Sequence, residues 1–268
     1  RQATARFRSV STSQLCLGIL ASSEPDPITD QLAQAARLGD CDAFISHSWH
    51  DDVDAKWEAL LRWRDEFREK HGREPTIWFD KCCIDQGNIE ADLRCLPLFL
   101  NGCKQLVLLC GTTYLSRLWT VVELFAFVHM GGKLENVVLV PVLREGMREK
   151  DMRTIVGTFE DFDARNCECK ESADKEKFLA IIRAAFGTMD NFNKAVHDIL
   201  LQAGFSSEGL RRSSSFMGEG LVALDDNPQT EAAPPPPPPI GDASPAGRPP
   251  ARGAEGSLLN TEPSSPFS

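Results

Sequence analysis

Residues 105–142 read QLVLLCGTTYLSRLWTVVELFAFVHMGGKLENVVLVPV. Two short unbroken apolar runs, 105–110 and 137–142, bracket a longer one, 116–130. A short apolar run between turn signals fits a strand covered on both faces. The middle run is too long for such a strand and suits a helix. Gly131-Gly132 stops it. Strand, helix and strand in this order predict a right-handed βαβ unit and a parallel sheet.

The alternation continues on both sides. Ala43-Phe44-Ile45 predicts a short buried strand followed by the polar turn Ser46-His47-Ser48. Residues 53–70 predict a helix, because Val53, Trp57, Leu60, Leu61, Arg64 and Phe67 recur at helical spacing and Gly72 ends it. Asp51 and Asp52 precede that helix as caps. Residues 76–79 predict a β-rich strand ending at Asp80, and 89–101 a helix. Downstream, 160–167 suits a short edge strand, and 174–186 and 191–203 suit helices. The fold class implied is a flavodoxin-like α/β three-layer sandwich with a parallel sheet.

The predicted organisation is a lead-in at 1–40, the α/β domain at 41–190, a flanking helix at 191–205 and a tail at 206–268. In the lead-in, 28–38 predicts an amphipathic helix stopped by Gly39. Residues 14–21 are apolar and follow Arg1, Arg6 and Arg8. That layout faintly resembles a signal peptide, but a packed helix or strand suits so short a run better. All five Trp lie between Trp49 and Trp119, whereas twelve of the 17 Pro lie from Pro228 onward, six of them at 234–239. This places the core before the tail and predicts a disordered tail with polyproline II in the Pro run. Arg211-Arg212-Ser213-Ser214-Ser215 is a candidate phosphate acceptor.

The formal net charge is −10, from 29 basic and 39 acidic residues. This argues against a nucleic-acid surface, which needs a basic stripe. Nine Cys are scattered without paired CxxC units. They predict reduced thiols in a cytoplasmic protein, with no metal site; separately, no bound cofactor is expected. No run approaches the roughly 20 apolar residues of a membrane span.

Ligands of such sheets bind beyond the carboxyl ends of the strands. Those ends are Ser46-His47-Ser48, Asp80-Lys81, Gly111-Thr112-Thr113 and the segment after Val142. Near them stands one acid in an apolar helix: Glu123 is the only Asp or Glu between Asp92 and Glu135. A buried carboxylate costs several kcal/mol unless paired, hydrogen-bonded or protonated. Glu123 is therefore either a site residue or a structural acid, capped by a backbone amide or paired with Arg117 or Lys81. Asp80 is either a ligand-binding acid or a turn cap. No Gly-rich phosphate loop is present.

The segment Asp42-Ala43-Phe44-Ile45-Ser46-His47-Ser48 resembles the first-strand box of Toll/interleukin-1 receptor (TIR) domains. Ser116-x-x-Trp119-x-x-x-Glu123-Leu124 resembles their third-helix box, with one extra residue between Ser and Trp and with Thr120 where Cys is usual. Val140-Pro141-Val142 resembles their fourth-strand element. Residues 78–86 and 116–120 are similar to the fungal heterokaryon-incompatibility (HET) domain, a TIR-related family. The resemblance covers about 40–190. It implies a signalling domain that hydrolyses NAD at the nicotinamide–ribose bond, with NAD as substrate. It makes Glu123 the catalytic residue, one turn beyond Trp119. Position at the ligand edge of the sheet makes Ser46, His47, Ser48, Asp80 and Lys81 candidate substrate-binding residues, with Trp119 as a stacking ring or pocket wall; turn capping and a solvent-facing His47 are the structural alternatives. The resemblance also implies self-association. The alternatives are a non-catalytic homotypic interaction module and a nucleotide-binding sensor.

Overall fold

The computed structural model describes residues 2–204 except Pro25, Gln86, Lys170 and Glu171. The predicted tail, residue 205 of the flanking helix and the Arg211–Ser215 acceptor lie outside the described residues. The chain begins with α1 (Gln2–Arg6), β1 (Arg8–Ser11), α2 (Leu17–Leu20), α3 (Pro27–Leu32) and β2 (Gln34–Ala35). There follow β3 (Cys41–His47), α4 (Val53–His71), β4 (Thr76–Trp78), α5 (Asp80–Cys83), α6 (Ile89–Asn101) and β5 (Cys103–Cys110). The last elements are α7 (Leu118–His129), β6 (Val137–Pro141), α8 (Arg148–Glu160), α9 (Ser172–Phe186) and α10 (Met189–Gln202).

The sheet order is β2-β1-β4-β3-β5-β6. β4, β3, β5 and β6 run parallel, and β1 and β2 extend the β4 edge antiparallel. The chain leaves β3 toward β4, returns past it to β5, then continues to β6. Right-handed crossovers thus put α4 on one face and α6 and α7 on the other. The reversal of direction falls at the end of β3, where this fold class binds ligands. The flavodoxin-like α/β sandwich expected from the alternation is the fold observed.

Local details depart from expectation. The first strand is longer than 43–45: all of Cys41–His47 is buried strand, so Ser46 and His47 are strand residues and not a turn. The helix expected at 28–38 stops at Leu32, because the next residues pair as β2 with β1. Residues 160–167 form no strand; α8 runs to Glu160 and a 3-10 turn spans Ala164–Asn166. The apolar run 14–21 contains α2, with Ile19 and Leu20 buried. Helix α4 ends at Gly72, whose φ of 68° is one that a side chain would strain.

Phe44 of β3 stacks on Trp78 of β4 with centroids 4.4 Å apart, and Trp78 meets Phe99 of α6 at 6.0 Å. At the amino end of β3, Asp42 is buried yet fully answered. Arg73 donates at 2.6 and 2.7 Å, Lys104 at 3.0 Å, and the Thr76 amide at 3.0 Å. Burial pushes the Asp42 carboxyl up, but the bonds from Arg73, Thr76 and Lys104 together outweigh it. They hold the group well below the ordinary carboxylate range. Its stabilisation is complete above the unfolded value of 3.8 and is lost as pH falls below about 4. Asp42→Asn should destabilise the fold by about 2–3 kcal/mol at pH 7, through weakened charge-assisted bonds. The difference from wild type should shrink below pH 4, as measured by urea titration.

Candidate functional site

Glu123 lies on the second turn of α7, facing the end of β3, and is 4% exposed. Ser46 Oγ donates to Glu123 Oε2 at 2.6 Å. Ser46 Oγ also lies 2.7 Å from the Tyr114 hydroxyl, which is fully buried. Thr120 donates to the carbonyls of Tyr114 (2.6 Å) and Arg117 (2.9 Å), fastening the start of α7. With Ser46 donating to the carboxylate, the Tyr114 hydroxyl donates to Ser46 in turn. The three groups form one hydrogen-bonded row.

The ion pair expected of a structural Glu123 is not what the cations make. Arg117 turns to Glu168 at 3.4 Å, and Lys81 Nζ donates to the Ser22 carbonyl at 2.5 Å. Burial pushes the Glu123 carboxyl up to about 8; Ser46 opposes this, the Asp80 charge reinforces it, and the Trp119 indole opposes it. Glu123 is therefore mostly protonated at neutral pH.

Asp80 opens α5, where it accepts its neighbour Lys81's amide at 2.7 Å. It also gathers β3: His47 Nε2 is 3.3 Å from Oδ1, and Trp49 Nε1 donates to Oδ2 at 3.0 Å. The His47 ring stacks on Phe79 at 5.0 Å and meets the edge of Trp49 at 4.6 Å. Ser48 Oγ lies 2.7 Å from Thr113 Oγ1, across to the loop after β5. Trp119 sits one turn before Glu123 and packs edge-on against Phe178 of α9 at 5.3 Å. Thus Ser46 and, through its indole, Trp119 are the expected binding residues that act on Glu123. His47 and Asp80 form a second cluster beside it, Ser48 a third contact, and the Lys81 ammonium points toward Ser22.

Three residues outside the expected set complete the region. Trp49 joins the Asp80 cluster. Lys56 is fully buried on α4, donates to the Ser48 carbonyl at 2.8 Å and lies 5.3 Å from the Trp49 ring centre. Burial lowers its pKa, against the pull of Asp51, Asp80 and Asp52. Its signal was its place on the buried stripe with Leu60, Trp63 and Phe67. Asp52 caps α4 as expected, accepting the Ala55 amide at 2.9 Å, but Asp51 does not. Asp51 turns to the loop after β5 and accepts from the amide (2.9 Å) and hydroxyl (2.8 Å) of Thr113. A polar cleft of about 200 Å³ opens beside it, between His50–Asp52, Gly111-Thr112 and the segment Val142–Arg144. Glu123 is not among its lining residues.

Among the described residues, no group of three or more His, Cys, Asp or Glu is placed to hold a metal ion. No helix among them is long and apolar enough to cross a membrane. All nine cysteines are free, and burial pushes the Cys82 thiol up to about 12, which keeps it protonated and unreactive.

Because folding raises the Glu123 pKa, the folded state binds more protons than the unfolded one between about pH 4.5 and about 8. The stabilisation from the protonated carboxyl is full below 4.5 and is lost as pH rises through about 8. Glu123→Gln, which stays neutral, should remove this part of the pH dependence. By urea titration, the variant should gain on wild type from pH 5 to pH 8.5; a constant difference would refute the buried-acid assignment. The chain matches no protein-family model and no curated protein.

Proposed function

We propose that this domain is a TIR/HET-like signalling module that cleaves the nicotinamide–ribose bond of NAD, with Glu123 as the catalytic carboxylate. The observation that carries the reading is the setting of Glu123. It is a buried carboxyl near the switch point of a parallel sheet, met by the Ser46 hydroxyl and the Trp119 indole and by no cation, with its pKa raised to about 8. A paired structural acid is shifted the other way, as Asp42 is.

In this reaction the bond breaks with its electron pair leaving on nicotinamide, so positive charge develops on the ribosyl carbon. Water adds there and loses a proton, yielding ADP-ribose. An ionised Glu123 in low-dielectric surroundings stabilises that developing charge strongly. Ser46 positions the carboxylate. His47, Ser48, Asp80, Lys81 and Trp119 are the neighbours a bound nucleotide would meet. At 4% exposure Glu123 is enclosed in the single chain, so the reading calls for an opened state, which self-association through the domain would supply. The same enclosure favours a second reading. In it Glu123 is a protonated acid fastening α7 to β3 in a non-catalytic homotypic interaction module.

Nicotinamide release from NAD, followed at high protein concentration with a crowding agent, separates the two. Wild type should turn over, with a rate that rises as pH passes through about 8, because only the ionised acid serves. Glu123→Gln should lose about 100-fold or more, the scale of a lost electrostatic stabiliser. Ser46→Ala removes the donor that favours the ionised form, so its pH profile should move to higher pH. Assembly without turnover in wild type would sink the enzyme and leave the interaction module.

A further inference from the structure

The cleft beside Asp51 has an unmet requirement. Asp51 is 5% exposed. Its Oδ1 takes both bonds from Thr113, while Oδ2 is shielded from solvent and has no hydrogen-bond partner among the described residues. A buried acceptor left without a donor costs about 1–3 kcal/mol. Burial also raises the Asp51 pKa, against the Thr113 bonds and the nearby charge of Lys56. The arrangement is specific to glycine at 111: a Cβ there would fall 2.2 Å from the Asp51 carboxyl carbon.

The cleft is acidic, and the cations near it are already engaged. Asp52 caps the amino end of α4. Asp151 takes the Arg144 guanidinium at 2.6 and 3.0 Å, so Arg144 is not free to meet an anion. Lys56 lies in the field of Asp51. What remains unanswered at Asp51 is a hydrogen bond. This disfavours phosphate and favours a neutral group rich in hydroxyl donors. About 200 Å³ is enough for a sugar ring.

We propose that this cleft is a binding site for the vicinal diol of a ribosyl group, with Asp51 Oδ2 accepting from the diol. Seating the diol requires the 50–52 turn to shift enough to admit one hydroxyl to Oδ2. The site is separate from Glu123 and does not depend on hydrolysis. Absence of nicotinamide release would leave it standing.

The test is NMR titration of the full chain with adenosine, a neutral nucleoside, and with 2′,3′-dideoxyadenosine. Adenosine should shift the amides of residues 50–52 and 111–113, and the dideoxy compound should bind about 10-fold or more weakly. That is the loss expected for a hydrogen bond to a charged acceptor. Asp51→Asn replaces the free acceptor with a donor at nearly constant shape, and should lose the preference for the diol. A thermal melt confirms that the variant is folded. Because Gly111→Ala displaces the carboxylate, it supplies a second variant with the same expected loss. Equal binding of the two nucleosides, shifts elsewhere in the protein, no shifts at all, or a folded Asp51→Asn that still prefers adenosine would each overturn the assignment.

Discussion

The contact between Ser46 Oγ and Glu123 Oε2 joins the central strand to the helix that crosses its carboxyl end. It is short, buried and made without a cation. Three features follow from it. The carboxyl remains mostly protonated at neutral pH, because neutral donors cannot replace the water it has lost. Tyr114 is drawn into the same row, so the segment before α7 is fixed relative to β3. The start of α7 must then hold its place, which the paired bonds from Thr120 ensure.

The two ends of the sheet treat charge in opposite ways. At the amino end of β3, Asp42 takes two cations and a backbone amide, and the compensation exceeds the cost of burial. At the carboxyl end stand Asp51, Asp80 and Glu123, with the Lys56 ammonium among them and that of Lys81 6.0 Å from the Trp49 ring centre. The first arrangement supports the fold. The second keeps three acids in poorly solvated surroundings, each answered by hydroxyls, amides or ring N–H groups and not by an ion pair. Such an end responds to pH and to anything that brings hydrogen-bond donors.

Much of this was legible in the residue order. The alternation of apolar runs is local, so the parallel sheet and most helices followed from it. Glu123 stood out because nothing else acidic interrupts its helix, and Ser46 because it ends an apolar strand. What escaped is decided by distant partners. Strand β1 carries little apolar signal of its own and exists by pairing Val10 with Ile77. Asp51 next to Asp52 before a helix looks like a pair of caps. Only the approach of Thr113, 62 residues away, separates their roles. Helix α8 is a different case. Met152, Ile155, Val156 and Phe159 do recur at helical spacing, but the charged residues at its start and Gly157 within it obscured the pattern.

The antiparallel pair β1 and β2 has a consequence for how copies of the domain can meet. By covering the edge of the parallel strands at β4, these strands leave only the two-residue β2 as the outer strand on that side. The opposite edge, β6, is five residues long and ends in Pro141, which offers no N–H. A lattice of this domain built by strand addition is therefore disfavoured on both sides. Any association between copies would then fall to helical faces and loops, where contacts depend on individual side chains.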